Sequence, residues 1–110
     1  MEYELIVTVV NRGFADLAVD AARAEGARGG TILHARGAGA NDAGRFFGVS
    51  IQPEREVVLI LVPGEIKQRV MRAISEHAGQ HTGGHGIAFS LPVDGVAGLT
   101  LRSKEGGEPS

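Results

Sequence analysis

The sequence has 110 residues, a formal net charge of −2 at pH 7, and no cysteine. This length suits one domain with a single core, and the lack of cysteine excludes disulfides, thiolate metal sites and cysteine nucleophiles. Lys and Arg total 11 against 13 Asp and Glu. Because the chain has no excess of basic residues, nucleic-acid binding is not predicted. The apolar runs are short and the first charged residues are acidic, so neither a signal peptide nor a membrane span is predicted, and we expect a cytoplasmic protein.

The first part of the chain predicts a strand, a helix and a second strand. Residues 3–10 are rich in β-branched side chains, which is typical of a buried strand. Asn11 then serves as a candidate helix cap. The following apolar residues recur at the spacing of one helical face, and they are Phe14, Leu17, Ala18, Ala21 and Ala22. We therefore expect a helix over residues 13–25 and a strand over residues 31–35.

The second part repeats this order of elements. Residues 56–62 form a third apolar strand, and a Pro-Gly turn opens a second helix that Gly79 closes. The predicted buried face of this helix carries Ile66, Val70, Ala73, Ile74 and His77. A glycine-rich turn leads into a fourth strand over residues 87–91, which Pro92 is expected to end.

A repeated strand, helix and strand predicts an α+β, ferredoxin-like βαββαβ fold. Two right-handed crossovers interleave into a four-stranded antiparallel sheet with both helices on one face, and the first and third strands are central. Both faces of these two strands are aliphatic, but two helices cover only one face. The same face of neighbouring subunits is the most economical cover for the other, so we expect an oligomer.

The segment 37–53, GAGANDAGRFFGVSIQP, separates the two parts. Its first half consists mostly of glycine and other small residues, whereas its second half contains a cation followed by two aromatic residues, Arg45, Phe46 and Phe47. A long loop between regular elements is typical of a functional excursion from a rigid scaffold. We expect Arg45, Phe46 and Phe47 to contact a partner protein.

Three segments resemble those of a known family. They are ARGGTILHARGAG before the long loop, EVVLILVPGEIKQRVMRAI after it, and TGGHGIAFSLPVDGV near the end. With these segments the chain resembles the PII signal-transduction proteins, the trimeric regulators of nitrogen metabolism, and especially the divergent PII-like branch. The resemblance implies a homotrimeric regulator without catalytic residues and a PII-like domain over residues 1–102. From the sequence itself we expect residues 103–110 to form a flexible, solvated C-terminal tail.

The resemblance also implies where effectors and partners bind. In this family the T-loop, here residues 37–53, contacts target proteins, and a membrane transporter or a nitrogen or carbon metabolism enzyme is a candidate target. The B-loop, here residues 79–86, wraps the phosphates of an adenine nucleotide in a cleft between subunits. The effector-binding residues implied by position are Gly37, Gly39, Asn41, Thr82, Gly83, Gly84, His85 and Gly86.

The chain departs from the family pattern at several effector-binding positions. Asn41 replaces a glutamine, Ile87 replaces a lysine, and Gly98 and Thr100 replace two arginines. Each charge-assisted bond to phosphate contributes on the order of 1.5–3 kcal/mol, so the loss of three cations predicts weak ATP binding or none. The residues that could compensate are Arg36, Arg45, His81, His85, Arg102 and Lys104.

Other interpretations of these residues remain open at this stage. The four histidines, His34, His77, His81 and His85, lack the ligand spacing and accompanying carboxylates of a zinc site, so no metal is expected. The acidic pairs Asp16 with Asp20 and Glu54 with Glu56 are interpreted as solvated charges. An RNA-binding ferredoxin-like domain and a small ferredoxin-like enzyme are the two alternative functions.

Overall fold

The fold is described from a computed structural model over residues 2–38, 45–46, 49–50 and 53–99, with the backbone alone for 45–46 and 49–50. In chain order the elements are β1 Tyr3–Asn11, α1 Ala15–Ala24, β2 Thr31–Arg36, β3 Arg45–Phe46, β4 Val49–Ser50, β5 Glu54–Pro63, a 3₁₀ turn Gly64–Ile66, α2 Lys67–Ala78 and β6 Ile87–Val93. No helix in these ranges is both long and apolar enough to span a bilayer.

The main sheet has four strands in the order β2-β5-β1-β6, and every neighbouring pair is antiparallel. The central strands are β1 and β5, as predicted, and the two helices contact each other. The α+β ferredoxin-like fold is therefore confirmed. Strands β3 and β4, within the segment that separates the two parts, pair with each other as a separate two-stranded sheet.

The core lies between the sheet and the helices. Alternate residues of β1 and β5 point into it, and the largest of them, Ile6 and Ile60, are fully buried. Helix α1 contributes alanines, whose small side chains let the helix approach the sheet closely, while α2 contributes Val70 and Ile74. Full burial of each such Ile or Val side chain stabilises the fold by roughly 1.5–3 kcal/mol.

On the opposite face of the sheet, called the open face below, no helix packs within the described ranges. Directly paired residues of antiparallel strands lie on the same face, so the register aligns three apolar rows across β5, β1 and β6. They are Leu61, Leu5 and Leu91; Leu59, Val7 and Phe89; and Val57, Val9 and Ile87. The β6 members are 45–54% exposed, so the open face is a continuous apolar surface in the single chain.

Two residues predicted on buried helical faces lie elsewhere. Leu17 is 40% exposed, and Ala15 is buried instead. The buried face of α1 is formed around Ala15, Ala18 and Ala22, and Leu17 lies to one side of that face. His77 of α2 is likewise exposed, and the neighbouring Ala78 fills the core position.

Pro92 does not end the last strand, because β6 continues to Val93 with Pro92 paired to Glu4. Within the described sheet β6 is an edge strand with β1 as its neighbour. Proline lacks a backbone N–H, and an edge strand tolerates that loss where the missing donor would face away from the neighbouring strand.

Candidate functional site

Two loops meet at one end of the main sheet. The long loop, residues 37–53, connects β2 to β5, and the glycine loop, residues 79–86, connects α2 to β6. The last residue of β1, Asn11, is paired with Arg55 near the start of β5. Because β1 ends where β5 and β6 begin, antiparallel pairing brings the bases of both loops to the same end of the sheet.

Asn11 connects the glycine loop to this end of the sheet through hydrogen bonds. Its backbone N–H donates to the Gly84 carbonyl at 2.8 Å, and its side-chain Nδ2 donates to the Gly83 carbonyl at 3.0 Å. The Arg55 Nη1 donates to Asn11 Oδ1 from the other side. The prediction that Asn11 caps helix α1 is wrong, because its side chain is used in these contacts and the residue before the helix is Phe14.

Glu56, which is distant in sequence, caps the start of α1. Its Oε1 accepts hydrogen bonds of 3.0 Å from the backbone N–H groups of Gly13 and Ala15, in the manner of an N-cap carboxylate at a helix start. The prediction that Glu56 is a solvated charge is therefore wrong. Glu54 does lie on the surface, where its exposed carboxylate pairs with Arg12 at 2.7 Å.

The glycine loop is folded around its own hydrogen bonds. The Thr82 hydroxyl donates to the Gly79 carbonyl at 2.8 Å and accepts from the Gly84 N–H at 3.1 Å. The N–H of His85 donates to the Thr82 carbonyl at 3.1 Å, and that of Gly86 donates to the Ala78 carbonyl at 2.7 Å. The Thr82 N–H also donates to the Gly79 carbonyl, at 3.0 Å, so an anion bound here would have to compete with such acceptors for four of the five amides over residues 82–86.

Close packing accounts for the glycines of this loop. A Cβ at Gly83 would lie 2.9 Å from Phe14 Cζ, and one at Gly84 would lie 3.1 Å from the same ring and 2.9 Å from the Ala78 carbonyl. His85 adopts a left-handed backbone with φ of 45°, which costs a non-glycine residue some strain. The loop thus lies directly over Phe14, at the start of α1.

The long loop is closed at its base by a hydrogen bond of 2.8 Å from the Gly37 N–H to the Pro53 carbonyl. Gly39, Asn41 and Phe47 lie outside the described residues. Arg45 and Phe46 form β3, whose backbone alone is described.

Ile87, Gly98 and Thr100 stand at the positions where the family pattern has cations. Ile87 opens β6 and is 54% exposed on the open face, and Gly98 adopts a left-handed φ of 85°. Thr100, Arg102 and Lys104 lie outside the described residues, as does the predicted tail over residues 103–110. Of the described candidates for compensation, Arg36, His81 and His85 are exposed.

The histidines lie in three parts of the molecule, and His81 and His85 share the glycine loop. His34 lies on β2 and His77 on α2, where the His77 Nδ1 is 2.9 Å from the Ala73 carbonyl. Among the described residues no group of three or more His, Cys, Asp or Glu side chains could hold a metal ion.

Sequence reasoning missed the roles of four residues. Asn11 and Arg55 connect the bases of the two loops, Phe14 packs under the glycine loop, and Glu56 caps α1. The signal that could have found Arg55 is the strand register. Matching the alternating aliphatic residues of β1 and β5, Val9 with Val57, places Arg55 opposite Asn11.

A family model described as "Nitrogen regulatory protein P-II" matches residues 3–105. A direct search of curated proteins finds no match. Among solved structures, a PII-like signalling protein from Thermus thermophilus aligns with a TM-score of 0.62 and 24% identity over 84% of this chain and 88% of that one. Arabidopsis thaliana PII bound to citrate aligns with a TM-score of 0.66 and 22% identity over 99% of this chain and 89% of that one.

Proposed function

The chain belongs to the nitrogen regulatory P-II family, and from this premise we propose that it is a trimeric regulator controlled by a small-molecule effector. In this proposal the effector binds in clefts between subunits, at the end of the sheet where the bases of the long loop and the glycine loop meet. The long loop then presents the effector-dependent signal to a target protein. The single observation that supports it most is the junction at Asn11, which connects the bases of both loops.

The open face supports the trimer. Its three apolar rows would be exposed to water in a single chain, and Ile87, Phe89 and Leu91 would lose the most exposed apolar surface on assembly. Contiguous apolar surface of this kind marks an interface in a well-behaved protein. Burial against the same face of two further copies would remove these rows from water in every subunit at once.

The effector site that we propose is formed by Gly37, Gly39 and Asn41 of the long loop and by residues 82–86 of the glycine loop. The packing of Gly83 and Gly84 on Phe14 gives the glycine loop a fixed shape. An adenine nucleotide is one candidate effector. Citrate, which is bound to the Arabidopsis protein, is a second candidate anion.

The partner-binding residues that we propose are Arg45, Phe46 and Phe47 of the long loop. Arginine and aromatic side chains are enriched at protein interfaces and contribute strongly to their binding energy. We propose a cytoplasmic regulator rather than an enzyme, with a membrane transporter or a nitrogen or carbon metabolism enzyme as its target.

The alternative of RNA binding receives less support from the open face. RNA-recognition sheets stack bases on aromatic side chains of their central strands, whereas β1 and β5 present Val7, Val9, Val57 and Leu59 there. We therefore propose a small-molecule effector and a protein target, without nucleic acid.

A thermal-shift screen tests this proposal, with oligomeric state measured by light scattering on the same sample. The panel contains ATP, ADP, AMP, cyclic nucleotides, 2-oxoglutarate, bicarbonate and citrate. We expect a trimer whose melting temperature rises with at least one of these ligands, since a ligand that binds only the folded state stabilises it. A monomer that responds to none of them would contradict the proposed function.

A further inference from the structure

A cleft of about 470 Å³ lies at the end of the main sheet opposite the two loops. It is called the far cleft below, and it forms where β1 begins and β6 ends. Its apolar walls are made by Tyr3, Pro92, Val93, Val96 and Leu99. Val96 is 41% exposed, so part of this apolar wall faces water in the described part of the chain.

The far cleft also carries carboxylates without a cationic partner among the described residues. Glu4 pairs with Lys67 at 3.3 Å. The exposed Glu2 and Asp94 belong to none of the ion pairs in the described ranges. Apolar walls beside two such carboxylates match a segment that presents an apolar side chain next to a cation.

The chain supplies such a segment directly beyond the far cleft. Leu99 lines the cleft and is the last described residue before Thr100, Leu101 and Arg102. Three residues span at most about 10–11 Å when fully extended, so this segment stays close to the cleft that Leu99 lines. Because the segment is already attached at Leu99, its docking loses less freedom than the binding of a separate molecule.

We propose that residues 100–102 occupy the far cleft of their own chain, with Leu101 against the apolar walls and the Arg102 guanidinium beside Glu2 and Asp94. The planar guanidinium offers a fork of N–H donors that suits carboxylate oxygens. This inference goes beyond the proposed function, since it assigns an interaction within the chain and concerns no effector.

The docking has a consequence at the other end of the sheet. Strand β6 runs from Ile87, beside the glycine loop, to Val93 at the far cleft. Six strand steps cover roughly 20 Å. An Arg102 held in the far cleft therefore supplies no compensating cation to the two loops of its own chain.

NMR relaxation of backbone amides in the full chain tests the docking. Residues 100–102 should have order parameters near the rigid value of about 0.85, whereas Gly106 should lie below about 0.6. Arg102→Glu should lower the order parameters of residues 100–102 below about 0.6, because it places a third carboxylate in the cleft. The matched control, Lys104→Glu, should leave them unchanged, and Asp94→Lys combined with Arg102→Glu should restore them.

A cross-link identifies the chain that the segment enters. The sequence has no cysteine, so Glu2→Cys with Arg102→Cys introduces a single pair of thiols. After treatment with a short bismaleimide linker, mass spectrometry should find most of the protein cross-linked within one chain. The control pair, Glu54→Cys with Arg102→Cys, has its first thiol at the loop end and should give no link within one chain.

Three results would overturn the inference. They are order parameters below about 0.6 for residues 100–102 in the wild type, unchanged order in the Arg102→Glu variant, and a link from the first thiol pair that joins two chains. The last result would place the segment in the far cleft of a second copy.

Discussion

Glu56 Oε1 accepts a hydrogen bond of 3.0 Å from the backbone N–H of Ala15, although the two residues are 41 positions apart. The carboxylate belongs to the third strand of the βαββαβ order, and the amide belongs to the first turn of α1. The neighbouring Arg55 points to the other face of the same strand and contacts Asn11. One short stretch of β5 therefore fixes the start of α1 on one side and the junction of the two loops on the other.

We expect Glu56→Ala to lower the free energy of unfolding by about 1–2 kcal/mol, the usual effect of losing a helix cap. Glu54→Ala is the matched control, because it removes an exposed carboxylate two residues away and should cost no more than about 0.5 kcal/mol. Urea denaturation at one fixed protein concentration measures both. Equal losses for the two variants would show that Glu56 contributes nothing as a cap.

Thr8 offers a stabilising substitution. Its side chain is fully buried on the helix side of β1, and its hydroxyl has no hydrogen-bond partner among the described residues. Thr8→Val replaces that hydroxyl with a methyl group of similar size and should raise the free energy of unfolding by about 1 kcal/mol. Thr8→Ser keeps the hydroxyl and removes the methyl group, so it should destabilise the protein by a similar amount. A loss of stability in Thr8→Val would indicate a partner for the hydroxyl in solution.

Adjacent residues of β5 separate assembly from folding. Leu59 lies on the open face, so Leu59→Lys should leave a folded chain that no longer assembles, since the interface would bury an unpaired charge. Ile60 is fully buried beneath the helices, so Ile60→Lys should unfold the chain. Light scattering with circular dichroism measures both properties, against a monomer mass of 11.5 kDa. A Leu59→Lys protein that assembles like the wild type would argue against the open face as the interface.

The glycine loop should tolerate little change at Gly86. This residue is buried, and a Cβ there would collide with the Ala78 carbonyl and Val10. Because a backbone carbonyl cannot move aside as a side chain can, Gly86→Ala should cost roughly 2 kcal/mol or more. Gly95→Ala is the control, since nothing lies within 4 Å of a Cβ at that position. Thermal denaturation that does not distinguish the two variants would refute this account of the loop.

The periodicity of the chain determined the elements and their arrangement. The alternating aliphatic residues of β1 and β5 predicted two central strands with two apolar faces, and the structure places them in the middle of the sheet. This part was predictable because the alternation of a strand and the 3.6-residue repeat of a helix are written locally in the residue order. Pro92 misled the same reasoning, since only its place on an edge strand allows β6 to continue through it.

The contacts at the junction of the loops were decided by the tertiary structure alone. Asn11 before a helix is a common cap, yet here its side chain holds Gly83 and accepts from Arg55, while Glu56 serves α1 instead. Each of these contacts joins residues more than 40 positions apart. No local pattern encodes such a pair, because the partners meet only once the strand register has brought β5 beside β1 and the glycine loop over Phe14.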